Sequence, residues 1–135
     1  MNFKLFLENT DLYQGLNSIR PQIAMAAQQI YDQWNQVDGI DDEFGGGGIC
    51  DAISNEISNI ISTKLPNTEV TYGGQDGDDH AWTVAYDQEK AYGVDIPHHY
   101  YETGGGYNWT KIPNVRFAPN HVEIWEMQRN WIEPH

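Results

Sequence analysis

The chain holds one cysteine, Cys50, and it stands directly behind Gly45, Gly46, Gly47, Gly48 and Ile49, at the head of a segment with apolar residues at helical spacing. Glycines allow positive φ angles and close approach of the backbone, which suits a loop turning sharply into a helix beside a substrate. In the first turn of such a helix the unsatisfied N–H groups and the helix dipole favour a thiolate over a thiol. The same N–H groups can receive the oxyanion of an acyl-transfer intermediate. A free cysteine also packs well as a small buried hydrophobe, so Cys50 alone reads equally as nucleophile or as core. A nucleophile needs a base.

His80 and Asp95 supply one by parity. A four-residue turn at Asp87 to Lys90 pairs Tyr86 with Ala91, Val84 with Gly93 and Trp82 with Asp95. Side chains alternate with period two, so His80, Trp82, Val84, Asp95 and Pro97 share one face. His80 and Asp95 become diagonal neighbours, with Cβ atoms no more than ~7–8 Å apart. A two-residue turn at Asp87-Gln88 pairs them directly, so both registers keep them together. His80 would take the proton from Cys50, and Asp95 would hold the imidazole in a useful tautomer. Separately, His80 reads as a surface histidine after an acidic turn and Asp95 as a strand-end residue; the set of three carries the argument.

The elements that must position these residues follow from periodicity. Leu12, Leu16, Ile19, Ile23, Ala26, Ala27, Ile30 and Trp34 form an amphipathic helical stripe, with Pro21 either kinking one helix or opening a second. An acidic, glycine-ended loop runs from Asn35 to Gly48. A helix from about Cys50 to Ser62 follows, stopped by Pro66 and Asn67. Strands are expected at Glu69–Tyr72, His80–Tyr86, Ala91–Ile96 and Val122–Gln128, with a long connection from His98 to Asn120. Helices followed by antiparallel strands predict an α+β fold: N-terminal helices packed on an antiparallel sheet, within one domain spanning residues 1–135.

Composition narrows the function classes. The 135 residues carry 20 acidic and 7 basic side chains, a formal net charge of -13. That sign repels phosphate backbones and anionic lipid, so no direct nucleic-acid or membrane partner is expected. It suits a basic protein partner, and an acidic surface can also imitate DNA. With a single cysteine there is no intrachain disulfide, and no segment approaches transmembrane length; a cytoplasmic location is expected.

In Gly47-Gly48-Ile49-Cys50, His80-Ala81-Trp82 and Gly93-Val94-Asp95-Ile96-Pro97, the sequence resembles the transglutaminase-like branch of the papain-like cysteine enzymes. The resemblance spans roughly Gly45 to Pro97. It implies a core with the cysteine at a helix N-terminus, the histidine and aspartate on successive strands, and amide chemistry: hydrolysis, deamidation or acyl transfer on a peptide or protein. The chain departs from it in one respect. Papain-like enzymes often carry Gln or Asn shortly before the cysteine to complete the oxyanion hole, and Phe44 to Gly48 offers neither.

Other signals are weaker. Asp76-Gly77-Asp78-Asp79 fails the calcium-loop pattern, because its sixth and twelfth positions are Ala81 and Asp87. Cys50, His80, Asp95, His98 and His99 are all acceptable zinc ligands, but without compact ligand spacing neither a metal nor a cofactor is expected. Gly48, Trp82, Tyr107 and Trp109 are the candidate substrate-binding residues, the last two lying in a glycine-jointed aromatic segment that would serve as a lid or wall. The alternative function is an acidic, non-catalytic binding or inhibitor protein that occupies a basic partner.

Overall fold

Pro21 decides how the N-terminal stripe is divided. A computed structural model describes residues 11–36, 49–73, 81–103 and 110–131. Within them the stripe forms two helices, α1 (Leu12–Ser18) and α2 (Arg20–Asn35), with Ile19 between them. Pro21 sits in the opening turn of α2, where its missing N–H has no helical acceptor to lose. Asp11 caps α1, its carboxylate accepting from the Tyr13 N–H at 2.8 Å. Ile23, Ala27, Tyr31 and Trp34 line the buried side of α2.

The third helix, α3 (Cys50–Lys64), buries Ile53, Ile57 and Ile61 and runs slightly beyond the expected Ser62, to the residue before Leu65-Pro66. Five-residue strands follow: β1 (Glu69–Gly73), β2 (Trp82–Tyr86) and β3 (Ala91–Asp95). They are joined by the short pair β4 (Glu102–Thr103) and β5 (Thr110–Lys111), and then by β6 (Glu123–Met127). The main sheet is antiparallel in the order β1-β2-β3-β6, and β4 pairs with β5 separately. Three helices with a four-stranded antiparallel sheet make the fold α+β. None of the helices among the described residues is long and apolar enough to cross a membrane.

The turn between β2 and β3 is built by Asp87. Its carboxylate accepts from the Glu89 and Lys90 N–H groups at 2.8 and 2.7 Å, and its own N–H bonds the Lys90 carbonyl. This turn sets Tyr86 opposite Ala91 and Val84 opposite Gly93, with Thr83 opposite Val94 at the far end. That is the register of the four-residue turn.

One face of the sheet meets the helices. Ala85, Tyr92, Val94 and Ile96 join Ile23, Trp34, Ile53, Ile57 and Ile61 in the core. Thr83, fully buried on this face, donates to the Ser54 carbonyl at 2.8 Å and lies 3.1 Å from the Ser58 hydroxyl, so its polar atom is satisfied by α3 itself. On the opposite face the rings of Trp82 and Trp125 meet at 5.1 Å. They lie over Gly73 and Gly93, whose missing Cβ atoms leave the room the rings occupy. Gly93→Ala would push its new methyl into the Trp125 ring. We expect it to cost about 1–3 kcal/mol of stability, with a change in tryptophan fluorescence as the ring is displaced. Denaturant unfolding followed by fluorescence checks both, and an unchanged spectrum would show that the pair is not held by these glycines.

The long connection expected from His98 to Asn120 carries more structure than its sequence suggests. Besides β4 and β5 it holds 3-10 turns at His98–Tyr100 and Pro119–His121. Helix α2 fastens it: the Tyr31 hydroxyl donates to the Ile112 carbonyl and accepts from the Val115 N–H, and Gln28 bridges the Val115 carbonyl and the Phe117 N–H.

Candidate active site

Cys50 is the first residue of α3 and is half-buried. Ile49 precedes it, wholly buried, and offers no side-chain cap. The first helical bond runs from the Ile53 N–H to the Ile49 carbonyl at 2.9 Å. The N–H groups of Cys50, Asp51 and Ala52 therefore have no acceptor within the helix, the situation that makes a helix N-terminus receptive to an anion.

Helix α3 is fixed over the strands at this same end. Thr83, near the start of β2, bonds to Ser54, one helical turn beyond Cys50. Thr83 stands opposite Val94. The C-terminal end of β3 and the N-terminal end of α3 thus lie at one side of the molecule. Asp95, the last residue of β3, is 4% exposed. By alternation Val94 and Ile96 turn toward the helices, and Asp95 turns toward the face of Trp82 and Val84. Cys50 belongs to the helix layer. The thiol and the carboxylate therefore stand on opposite faces of the sheet, at the same end of it.

A third buried group of this region is Tyr101. It follows the 3-10 turn after β3, is fully buried, and packs edge-on against Trp34 of α2 at 6.0 Å and Phe117 at 6.2 Å. Burial first, and then the negative charges of Asp95 and Cys50, hold its phenol well above the usual phenolic value. One buried hydroxyl is therefore influenced from two separate elements, β3 and α3. It has no hydrogen-bond partner among the described residues. In the sequence Tyr101 stands only within the long connection after β3. Its tyrosine type carried no signal; its position depends on the turn at His98–Tyr100.

Of the other expected site residues, Trp82 stacks on Trp125 on the open face. His80, Gly48, Tyr107 and Trp109 lie outside the described residues. Among the described residues no three His, Cys, Asp or Glu side chains gather as a metal site would require. His99 and Tyr100 stack at 4.4 Å, and Tyr100 meets His121 at 4.7 Å, so two of the histidines serve ring packing in the connection.

A cleft of about 720 Å³ opens at the opposite end of the sheet, lined by Asp11, Glu69, Tyr86, Asp87, Lys90 and Arg129 among others. Arg129 there donates to the Asp87 carbonyl at 2.7 Å and lies 4.8 Å from the centre of the Tyr86 ring. Its guanidinium is engaged in holding the β2–β3 turn. The cleft is remote from Cys50 and takes no part in the chemistry above. Comparison with protein-family models, with curated proteins and with solved structures finds nothing that matches this chain.

Proposed function

We propose that the protein is a cysteine-nucleophile enzyme acting on an amide bond of a peptide or protein, with Cys50 attacking the carbonyl, His80 moving the proton and Asp95 orienting His80. The observation that carries this reading is the placement of Cys50 at an uncapped helix N-terminus, with buried Asp95 ending the strand at the same side of the molecule. The transglutaminase-like resemblance of Gly47–Cys50, His80–Trp82 and Gly93–Pro97 agrees with the same roles.

In this mechanism the thiolate adds to the carbonyl carbon, the oxyanion is received by N–H groups of the first turn of α3, and the imidazolium returns its proton to the leaving amine. Water or a second amine then releases the acyl group. Gly48, Trp82, Tyr107 and Trp109 are the substrate-contacting residues in this proposal.

The test is covalent labelling by a thiol-directed probe. Folded protein is expected to react at Cys50 at least tenfold faster at neutral pH than the same chain in denaturant, consistent with a thiolate favoured by its surroundings. Cys50→Ala should abolish labelling while leaving the unfolding transition in place. Equal rates for folded and denatured samples would remove the basis for an activated thiol. A salt-sensitive capture of a basic protein that persists in Cys50→Ala would then favour the acidic binding protein.

A further inference from the structure

The last strand is an edge. β6 has β3 on one side and no described strand on the other. Every second residue therefore turns its N–H and C=O outward, without a ladder partner among the described residues. The pairing of β6 with β3 sets Glu123, Trp125 and Met127 on the face turned away from the helices. Trp125 is 36% exposed, and its ring lies over Gly93 and against Trp82. Glu123 is exposed and makes no hydrogen bond or ion pair with any described residue. None of the four strands of the main sheet contains a lysine, arginine or histidine. The cations that flank them are engaged: Arg20 donates to the Val122 carbonyl, Lys90 pairs with Glu126 at 3.0 Å, and Arg129 donates to the Asp87 carbonyl. At the other end of the sheet this face already receives a cation, since the Arg129 guanidinium lies 4.8 Å from the centre of the Tyr86 ring. At Trp125 the same kind of aromatic surface stands beside an unpaired carboxylate.

We propose that the outer edge of β6 docks an extended basic segment of a partner protein, which joins the sheet as a further strand and carries an arginine or lysine to the Trp125 ring and the Glu123 carboxylate. Main-chain hydrogen bonds along the edge would supply the attachment, and the side chains of one face the selectivity. The reach required explains the residue type. Neighbouring strands lie ~4.7–4.9 Å apart, and the indole leans from β6 toward β3, so a side chain of the added strand must cross β6 to meet it. A long cationic side chain spans that distance and a short one does not. Charge also argues against a second copy of this chain as the occupant. Each copy carries a formal charge of -13, and a seam of two β6 strands would bring Glu123 and Glu126 of both copies together. The proposal does not depend on the role of Cys50.

The probe is a synthetic peptide of alternating arginine and threonine, about eight residues long, added to the intact chain. A control peptide replaces each threonine by proline, which keeps the charge and removes the backbone donors. The first peptide is expected to slow deuterium uptake along Glu123–Met127 at least fivefold and to change tryptophan fluorescence; the proline peptide should do neither. Glu123→Lys should weaken the first peptide about tenfold, and Trp125→Ala by roughly threefold to fivefold. Glu123 is exposed, so its variant reads the site even if Trp125→Ala does not fold. Equal binding of the two peptides without slower exchange in β6 would reduce the attraction to net charge and overturn the proposal. Equal binding of a peptide with glutamate in place of arginine would overturn the basic partner. Slower exchange in β6 as the protein alone is concentrated, with dimers in sedimentation, would give the edge to a second copy and overturn it as well.

Discussion

Asp95→Asn is expected to slow acylation of Cys50 by about two to four orders of magnitude while leaving the chain folded. The reasoning starts from size. Asparagine fills the same space at the end of β3, where the side chain is 4% exposed, so the strand and its pairing with Glu123 should persist. What changes is the charge and the pattern of donors and acceptors. A carboxylate accepts from an imidazole N–H and stabilises the imidazolium that forms during transfer; an amide does the first in only one orientation and the second hardly at all. The measurement is acylation by an activated ester, followed at the released phenolate. His80→Ala should give a loss of similar size, and the double variant should be little worse than either single one, as residues acting as one unit are not additive. Losses that multiply in the double variant would separate the two side chains and break the relay.

The largest stability effect should come from Trp34→Ala, about 3–5 kcal/mol. Trp34 is 1% exposed and holds the C-terminal turn of α2 against Tyr31 at 6.1 Å and Tyr101 at 6.0 Å. Removing the indole opens a cavity where the helices meet the connection. Domains of this kind are stable by only ~5–15 kcal/mol, so this single change consumes a large part of the margin. Urea unfolding should show a midpoint reduced in proportion, and Trp34→Phe should recover part of it by restoring a ring against Tyr101. A loss below about 1 kcal/mol would mean that the surroundings collapse around the smaller residue.

Local patterns were legible in the sequence where one physical rule dominates. The isoleucines of α3 recur at threes and fours because one side of that helix is buried, and Ile53, Ile57 and Ile61 are in the core as the spacing implies. Between β2 and β3 the sequence marked a turn but left its length at two or four residues; the Asp87 carboxylate, bonding the Glu89 and Lys90 N–H groups, belongs to the four-residue turn that forms. Pro21 left two options in the sequence, and the choice between them required tertiary packing around Ile19, which is buried between α1 and α2. The connection after β3 was the opaque part. β4 and β5 are two residues each, too short for alternation to show, and they are located by Tyr31 and Gln28 from a distant helix. Tyr101 lies in that stretch. Its burial was hidden for the same reason: nothing local distinguishes a tyrosine that packs in the core from one that faces solvent.

The placement of β6 sets the order in which the molecule gives way. β2 and β3 are joined by one tight turn, whereas β6 reaches β3 only after the whole of residues 96–122. A pairing that must close so long an excursion forms late and parts early. Amide protons along β6 should therefore exchange with solvent deuterium ahead of those shared between β2 and β3. Because Glu123 is the backbone neighbour of Asp95, each such opening releases the carboxylate's own strand end. The reactivity of the sulfur would then breathe with the docking of the last strand.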